Sequence, residues 1–185
     1  MIILGVDPGT LITGYGVIES RNGSMKMIAC DAIKNDSRRS MPLRLKSIFE
    51  TLREVIDTFH PDEFAIETAF YGKNAQSALK LGHARGVAML AAVSREIPVG
   101  EYSPREVKKA IVGHGTASKE QVQYMVKSLL KLKHTPKYYD TTDALAVAIC
   151  HLHRALSPRK NFRSWKSFVS AHPEKVSSSS RRRTK

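Results

Sequence analysis

The first part of the chain has a pattern of apolar residues that is typical of strands. Short runs rich in β-branched and apolar residues cover residues 2–7, 14–19 and 25–33. A turn of sequence Asp-Pro-Gly-Thr at residues 7–10 separates the first two runs, and Gly23 separates the second from the third. Runs of this length between turn signals predict a meander of three strands.

The middle of the chain alternates between helical and strand patterns. Apolar residues at steps of three and four predict an amphipathic helix over residues 42–59. A stretch rich in alanine and glycine predicts a second helix over residues 75–96, with a surface that permits close helix packing within the fold or across a dimer. Short apolar runs at residues 64–67 and 97–102 predict two more strands.

Two capping boxes mark helices in the second half of the chain. Ser103 and Ser118 are each followed three residues later by Glu or Gln, a spacing that satisfies the free N–H groups at a helix start. A last helix is expected over residues 140–156. The order of elements predicts an α/β fold, in which an antiparallel meander and parallel strands form one mixed five-stranded sheet flanked by helices.

Length and charge narrow the class of protein. The 185 residues suit one domain, and no run approaches the ~20 apolar residues that span a bilayer. The net charge is +13, and residues 154–185 contribute +9 of it through ten Lys/Arg and one acid. We therefore expect a folded domain over residues 1–156 and a basic, disordered tail over residues 157–185. The positive charge indicates a polyanionic partner, and nucleic acid is favoured over a membrane.

Targeting features and cysteine usage favour a cytoplasmic protein. The N-terminus lacks a basic segment and reaches an acid at Asp7, unlike a signal peptide. Cys30 and Cys150 lie far apart in apolar segments and form no CxxC motif. This arrangement favours buried, reduced thiols over a disulfide or a zinc site.

Acidic residues end or begin apolar elements at four places. Asp7 ends the first predicted strand, Glu67 ends the fourth, and Asp140 and Asp143 share one face at the start of the last helix. Carboxylates that converge repel each other unless cations neutralise them, and an all-oxygen set favours Mg²⁺, or Mn²⁺, over zinc. Two such ions about 4 Å apart would clamp a phosphodiester. Each acid alone also fits a structural role in a turn or helix cap, so the metal-site hypothesis depends on the whole set.

The turn at Asp7 has a second interpretation. A strand followed by Asp-x-Gly-Thr also resembles the phosphate-binding turn of actin-like and sugar-kinase ATPases. Those enzymes close two such domains on a nucleotide, whereas this chain has the length of one domain. The metal-site interpretation is therefore favoured.

Taken together, several segments resemble the RuvC family of Holliday junction resolvases. The matching positions are residues 3–9, 13–18, 64–67, 77–82, 84–87 and 140–146, with Phe70, Lys73, Asn74, Val107, Lys108, Val112, Gly113 and Lys119. The resemblance covers roughly residues 1–156. It implies an RNase H-like fold and a homodimer that makes paired, symmetric nicks in four-way DNA junctions during bacterial recombination and repair. The products would carry 5′-phosphate ends, and the family works beside RuvA and RuvB.

The resemblance also implies roles for individual residues. The catalytic, metal-binding acids of the family correspond to Asp7, Glu67, Asp140 and Asp143, which would hold two Mg²⁺ ions. The DNA contacts correspond to Phe70, Lys73, Lys108 and Lys119. Two alternatives stay open: a non-catalytic junction-binding module, and an RNase H-superfamily nuclease with another substrate. A catalytic role for His114, between Gly113 and Gly115, also stays open.

Overall fold

A five-stranded sheet forms the centre of the structure, which is a computed structural model that describes residues 1–68 and 75–156. The strands are β1 (Ile2–Asp7), β2 (Ile12–Arg21), β3 (Ser24–Lys34), β4 (Glu63–Glu67) and β5 (Val99–Tyr102). Their order across the sheet is β3-β2-β1-β4-β5. Because β1 pairs antiparallel with β2 and parallel with β4, the meander and the parallel strands share one sheet, and the predicted mixed sheet is confirmed.

The described residues form five helices around this sheet. They are α1 (Met41–Phe59), α2 (Ala75–Val93), α3 (Pro104–Val112), α4 (Lys119–Leu129) and α5 (Tyr139–Leu156). The second helix ends three residues earlier than predicted, because Glu96 has a left-handed φ of 57° and the N–H of Ile97 bonds back to the Ala92 carbonyl. None of the helices in the described ranges has the length and apolar character needed to cross a membrane.

The helices lie in two layers, one on each face of the sheet. Leu4 and Val6 of β1 pack with α1 and α2 on one face, whereas Ile3 packs with α3, α4 and α5 on the other. The alternation follows from the two-residue period of a strand. At Gly5, a Cβ atom would lie 2.2 Å from the carbonyl oxygen of Ala144. The fifth helix therefore lies directly against the backbone of β1.

Both predicted capping boxes are present. The hydroxyl of Ser103 accepts a hydrogen bond from the N–H of Glu106, whose carboxylate accepts one from the N–H of Ser103. Ser118 and Gln121 make the same reciprocal pair at the start of α4. These caps fix where the two short helices begin and therefore fix the position of Lys119, the first residue of α4.

A buried polar network attaches the second half of α5 to the sheet. The hydroxyl of Tyr102 lies 2.8 Å from Nδ1 of His151, and Nε2 of His151 contacts the carboxylate of Glu63. His151 is buried, so its ring nitrogens are satisfied by β4 and β5 and not by water. The network holds α5 in one register against the sheet.

The two cysteines differ in burial. Both are free thiols, and Cys150 is buried in α5, where burial raises its pKa to about 11. Cys30 on β3 is only half-buried, so the prediction of two buried thiols is correct for Cys150 alone. Burial also raises the pKa of the Cys30 thiol, which keeps it in the less reactive protonated form.

Candidate active site

The four predicted acids meet at one end of the sheet. Asp7 and Glu67 are the last residues of β1 and β4, which are parallel neighbours, so the ends of the two strands lie side by side. Asp7 has the same parity along β1 as Gly5, and therefore faces α5. Asp140 and Asp143 lie in the first turns of α5, above this end of the sheet.

A glycine and a threonine of β2 shape the surroundings of Asp7. Gly14 pairs with Asp7 across the sheet, and a Cβ atom on Gly14 would lie 2.0 Å from the carbonyl oxygen of Asp140. The buried hydroxyl of Thr13 donates to the carbonyl of Gly9 at 2.6 Å and closes the turn that follows Asp7. Sequence reasoning missed both roles. The approach of Gly14 to Asp140 depends on a distant segment, whereas the hydrogen bond from Thr13 to Gly9 lies within one turn.

Burial and mutual repulsion raise the pKa values of Asp7, Glu67 and Asp143. Burial, the largest cause, raises the pKa of Asp7 to about 8, and the charges of Glu67, Asp143 and Asp140 act in the same direction. Burial and the charge of Asp143 raise the pKa of Glu67 to about 7. Burial also raises the pKa of Asp143, with a further contribution from Asp140. The side chains are therefore close enough to act as one electrostatic cluster, which we call the acidic cluster.

Two predicted DNA-contact lysines lie beside the acidic cluster. The ammonium group of Lys119 is 3.8 Å from a carboxylate oxygen of Asp143, and its charge opposes the rise in pKa of Asp7, Glu67 and Asp143. Lys108 of α3 has the same effect on Glu67 and Asp143. Their positive charge thus lies beside the acids and partly offsets their repulsion.

The donor chemistry of the acidic cluster fits Mg²⁺, although the side chains do not form a ready-made cage. Within residues 1–68 and 75–156, no three Asp, Glu, His or Cys side chains are arranged tightly enough to hold a metal ion. Mg²⁺ is commonly bound by one or two carboxylates together with water and substrate phosphate oxygens, so it does not require such a cage. Burial and the neighbouring carboxylates both raise the pKa of Asp7 and Glu67, and a divalent cation would offset both effects by favouring the ionised carboxylates.

Several of the other predicted residues lie outside the part of the chain that the structure describes. Phe70 and Lys73 lie in residues 69–74, and the predicted basic tail lies in residues 157–185, all outside the described residues. His114 is exposed in the loop between α3 and α4, where its Nδ1 lies 3.3 Å from the hydroxyl of Thr116.

Comparison with known proteins identifies relatives along almost the whole chain. The family model described as "Crossover junction endodeoxyribonuclease RuvC" matches residues 3–151. A protein of that name from Salinibacter ruber is 47% identical over 178 residues, which are 96% of this chain and 99% of that protein. Another, from Desulforamulus reducens, is 50% identical over 151 residues, 82% of this chain and 93% of that protein.

Solved structures agree with the sequence comparisons. The structure of T. thermophilus RuvC in complex with a Holliday junction substrate is similar with a TM-score of 0.80 and 33% identity, covering 84% of this chain and 94% of that one. A yeast mitochondrial Holliday junction resolvase, 10% identical, shares the fold with a TM-score of 0.57 over 80% of this chain and 77% of its own. The expected RNase H-like fold is thereby confirmed, and the chain belongs to the RuvC family of crossover junction endodeoxyribonucleases.

Proposed function

We propose that this chain resolves Holliday junctions by hydrolysing DNA phosphodiesters at the acidic cluster. The observation that carries the proposal is that Asp7, Glu67, Asp140 and Asp143 come from two parallel strands and the start of α5 to one end of the sheet, in a member of a nuclease family. A relative of the same fold has been solved with a Holliday junction, which supports four-way DNA as the substrate.

Asp7, Glu67, Asp140 and Asp143 would hold two Mg²⁺ ions, for which Mn²⁺ would substitute. When bound, the ions would activate the attacking water and stabilise the leaving oxygen. The burial that raises the pKa of Asp7 and Glu67 supports this assignment, because it keeps bulk water away from the charges that bind the cations. The proposed products are 5′-phosphate and 3′-hydroxyl ends.

Lys119 and Lys108 would bind the phosphate that is cut. Lys119 now lies against Asp143, and a phosphate oxygen is a better partner for its ammonium group once cations neutralise the acids. Phe70 would stack on an unpaired base, and Lys73 would contact the backbone nearby. The charge of +9 over residues 154–185 supports a further, non-specific contact between the C-terminal residues and DNA.

One alternative from the sequence is a module that binds junctions without cutting them, although all four acids are present in this chain. A cutting assay separates the two. We expect the wild-type chain with Mg²⁺ to make paired, symmetric nicks in a synthetic four-way junction, and to leave a matched duplex and an RNA–DNA hybrid intact.

Asp143→Asn tests the acidic cluster directly. We expect it to reduce cutting by more than about 100-fold while junction binding persists, since even the outer partners of metal ligands are worth about 10–100-fold. Cleavage products are measured on denaturing gels and binding by fluorescence anisotropy in EDTA. If D143N cuts at the wild-type rate, the acidic cluster is not the active site.

Paired nicks require two active sites, and we propose that the exposed face of α2 forms the interface of a homodimer. Leu79, Leu90 and Val93 are 62%, 56% and 58% exposed, and a Cβ atom at Gly82 or Gly86 would meet nothing within 4 Å. Steps of three and four place all five residues on one stripe, opposite the buried alanine face of the same helix. The stripe is apolar with glycines at its centre, which permits close contact with a second copy.

Leu90→Glu is expected to convert the dimer to a monomer, because the symmetric interface would bury one unpaired carboxylate from each subunit. Light scattering after size exclusion measures the mass, and Leu43→Glu, at a similarly exposed leucine of α1, is the control. The L90E monomer should lose paired nicking. A wild-type chain that runs as a monomer, or an L90E variant that stays dimeric, would contradict the proposed interface.

The family resemblance also supports RuvA and RuvB as functional partners in a bacterial cytoplasm, with residues 1–156 as the nuclease domain. Two relatives that match 96% and 95% of this chain are RuvC proteins of the bacteria Salinibacter ruber and Christiangramia forsetii, which supports this cellular role.

A further inference from the structure

A basic cluster lies beside the acidic cluster, on the side of β3. Lys34 is the last residue of β3, and Lys137 and Tyr138 lie in the segment just before α5. The ammonium group of Lys34 contacts the hydroxyl of Tyr138 and lies 4.0 Å from the centre of its ring. The ammonium group of Lys137 lies 5.7 Å from the same ring centre. We call these three residues the Lys34 cluster.

The positive charges of the Lys34 cluster are not neutralised by acids. Among the residues that the structure describes, no carboxylate lies within ion-pair distance of Lys34 or Lys137. Lys26, on the same strand as Lys34, is instead 2.7 Å from the carboxylate of Glu19. Two exposed ammonium groups and a phenol hydroxyl around one ring offer several hydrogen-bond donors in one place, and an anion would relieve the repulsion between the two charges.

The sheet register shows how far this cluster is from the acids. Asp7 pairs with Gly14, Gly14 pairs with Ala32, and Lys34 is two residues beyond Ala32. Lys34 is therefore offset from Asp7 by two strand spacings across the sheet and by two residues along the strand. These offsets place the two Cα atoms about 12 Å apart. Lys34 is therefore too far away to share a phosphate with Asp7, and it is well placed for a neighbouring phosphate of the same strand.

The Lys34 cluster and the Lys108 side chain flank the acids from opposite sides. Lys34 lies on β3, the strand at one edge of the sheet, and Lys108 lies on α3, which follows β5 at the other edge. The acids lie between them, on β1, β4 and α5. A DNA strand that crosses the acidic cluster along the line of these cations would contact both.

We propose that Lys34, Lys137 and Tyr138 form a binding site for a backbone phosphate of the DNA strand being cut, next to the scissile phosphate. This inference depends on the proposed function, because it takes the junction as the ligand. The two ammonium groups supply the charge, the ring of Tyr138 holds them together through cation–π contacts, and its hydroxyl donates to a phosphate oxygen. If the ring of Tyr138 only anchored the segment before α5, replacing the two lysines would not change how junction binding depends on salt concentration.

The salt dependence of junction binding therefore tests the proposal. Binding is measured by fluorescence anisotropy in EDTA, over a range of NaCl concentrations, for the wild-type chain and for Lys34→Ala/Lys137→Ala. Loss of a phosphate contact should weaken binding by roughly tenfold and reduce the slope of log K against log salt by about 1. Circular dichroism checks that the variant is folded.

The matched control is Arg21→Ala/Lys26→Ala, which removes the same charge at the β2–β3 turn, at the opposite end of the sheet. It should keep the wild-type slope. If the K34A/K137A variant binds with wild-type affinity and slope, or if the control loses as much, the Lys34 cluster is not a phosphate site. A wild-type chain that neither binds nor cuts the junction would instead overturn the proposed function itself.

Discussion

Replacing Asp7 by asparagine is expected to abolish junction cutting and, in metal-free buffer near pH 8, to make the protein more stable. Burial and three neighbouring acids raise the pKa of the Asp7 carboxyl from an ordinary value near 3.8 to about 8. The folded state therefore opposes ionisation of this group. Asparagine has nearly the same shape and carries no charge, so it removes the free-energy cost of ionising residue 7 in the folded state. It also removes a proposed metal ligand.

The direction of the pH effect follows from proton binding. Between about pH 4 and pH 8, the folded chain keeps a proton on Asp7 that the unfolded chain has released. Stability therefore falls as pH rises through this window. The Asp7→Asn variant lacks this titration, so its gain in stability over the wild type should be near zero at pH 4 and largest near pH 8. At pH 8 we expect the free energy of unfolding to rise by about 1–3 kcal/mol, which corresponds to a rise in melting temperature of roughly 3–10 °C.

Thermal unfolding in EDTA from pH 4 to pH 8 measures this effect. Asp31→Asn, at an exposed acid of β3, is the control and should leave the pH profile of the wild type unchanged. Added Mg²⁺ should stabilise the wild-type chain more than D7N, because binding to the folded state raises the melting temperature. A D7N variant that is less stable than the wild type at pH 8 would show that Asp7 has favourable interactions which outweigh its repulsion.

The parts of the fold that depend on local sequence were predictable. The meander, the amphipathic helix α1 and both capping boxes follow from spacing over a few residues, and the structure contains all of them. The meeting of Asp7 and Glu67 was also predictable, because the ends of neighbouring parallel strands lie at one edge. Each of these inferences needs only a short stretch of chain or a general rule of sheet geometry.

Contacts between distant segments were not predictable from the pattern. His151 has no neighbouring residue in the sequence that indicates a role, yet it joins Glu63 and Tyr102 in the core. The contact of Lys34 with Tyr138 joins residues 104 positions apart in the sequence. Nothing in the neighbourhood of either residue identifies its partner, because the pairing depends on how α5 is placed on the sheet.

The sequence pattern also does not predict which face of α2 is buried. Its small residues predicted close packing, either within the fold or across a dimer. The structure buries Ala84 and Ala88 against the sheet layer and leaves space at Gly82 and Gly86. The sequence pattern contains both stripes, but only the position of the sheet decides which one faces inward.

Gly14→Ala is expected to reduce cutting by about 100-fold, although Gly14 carries no functional group. An added Cβ would lie 2.0 Å from the carbonyl oxygen of Asp140 and 2.8 Å from the amide nitrogen of Thr141. Both contacts are with backbone, so the start of α5 must move away from β2. A displacement of about 1 Å of a catalytic group can cost 10²-fold in rate, and overpacking of this kind typically costs about 1–3 kcal/mol in stability.

Gly16→Ala is the matched control because it lies two residues away on the same face of β2. Its added Cβ would mainly meet the buried side chain of Leu145, at 2.5 Å from Cδ2 and 2.7 Å from Cγ, whereas the nearest backbone atom, the Leu145 nitrogen, is 3.2 Å away. Repacking of Leu145 can therefore absorb most of the clash without moving the start of α5. We expect G16A to be destabilised to a similar degree but to cut within about tenfold of the wild type. Single-turnover cutting with saturating Mg²⁺, at a temperature where both variants are folded, separates the two effects. Equal cutting by G14A and G16A would mean that the contact of β2 with Asp140 does not set the geometry of the active site.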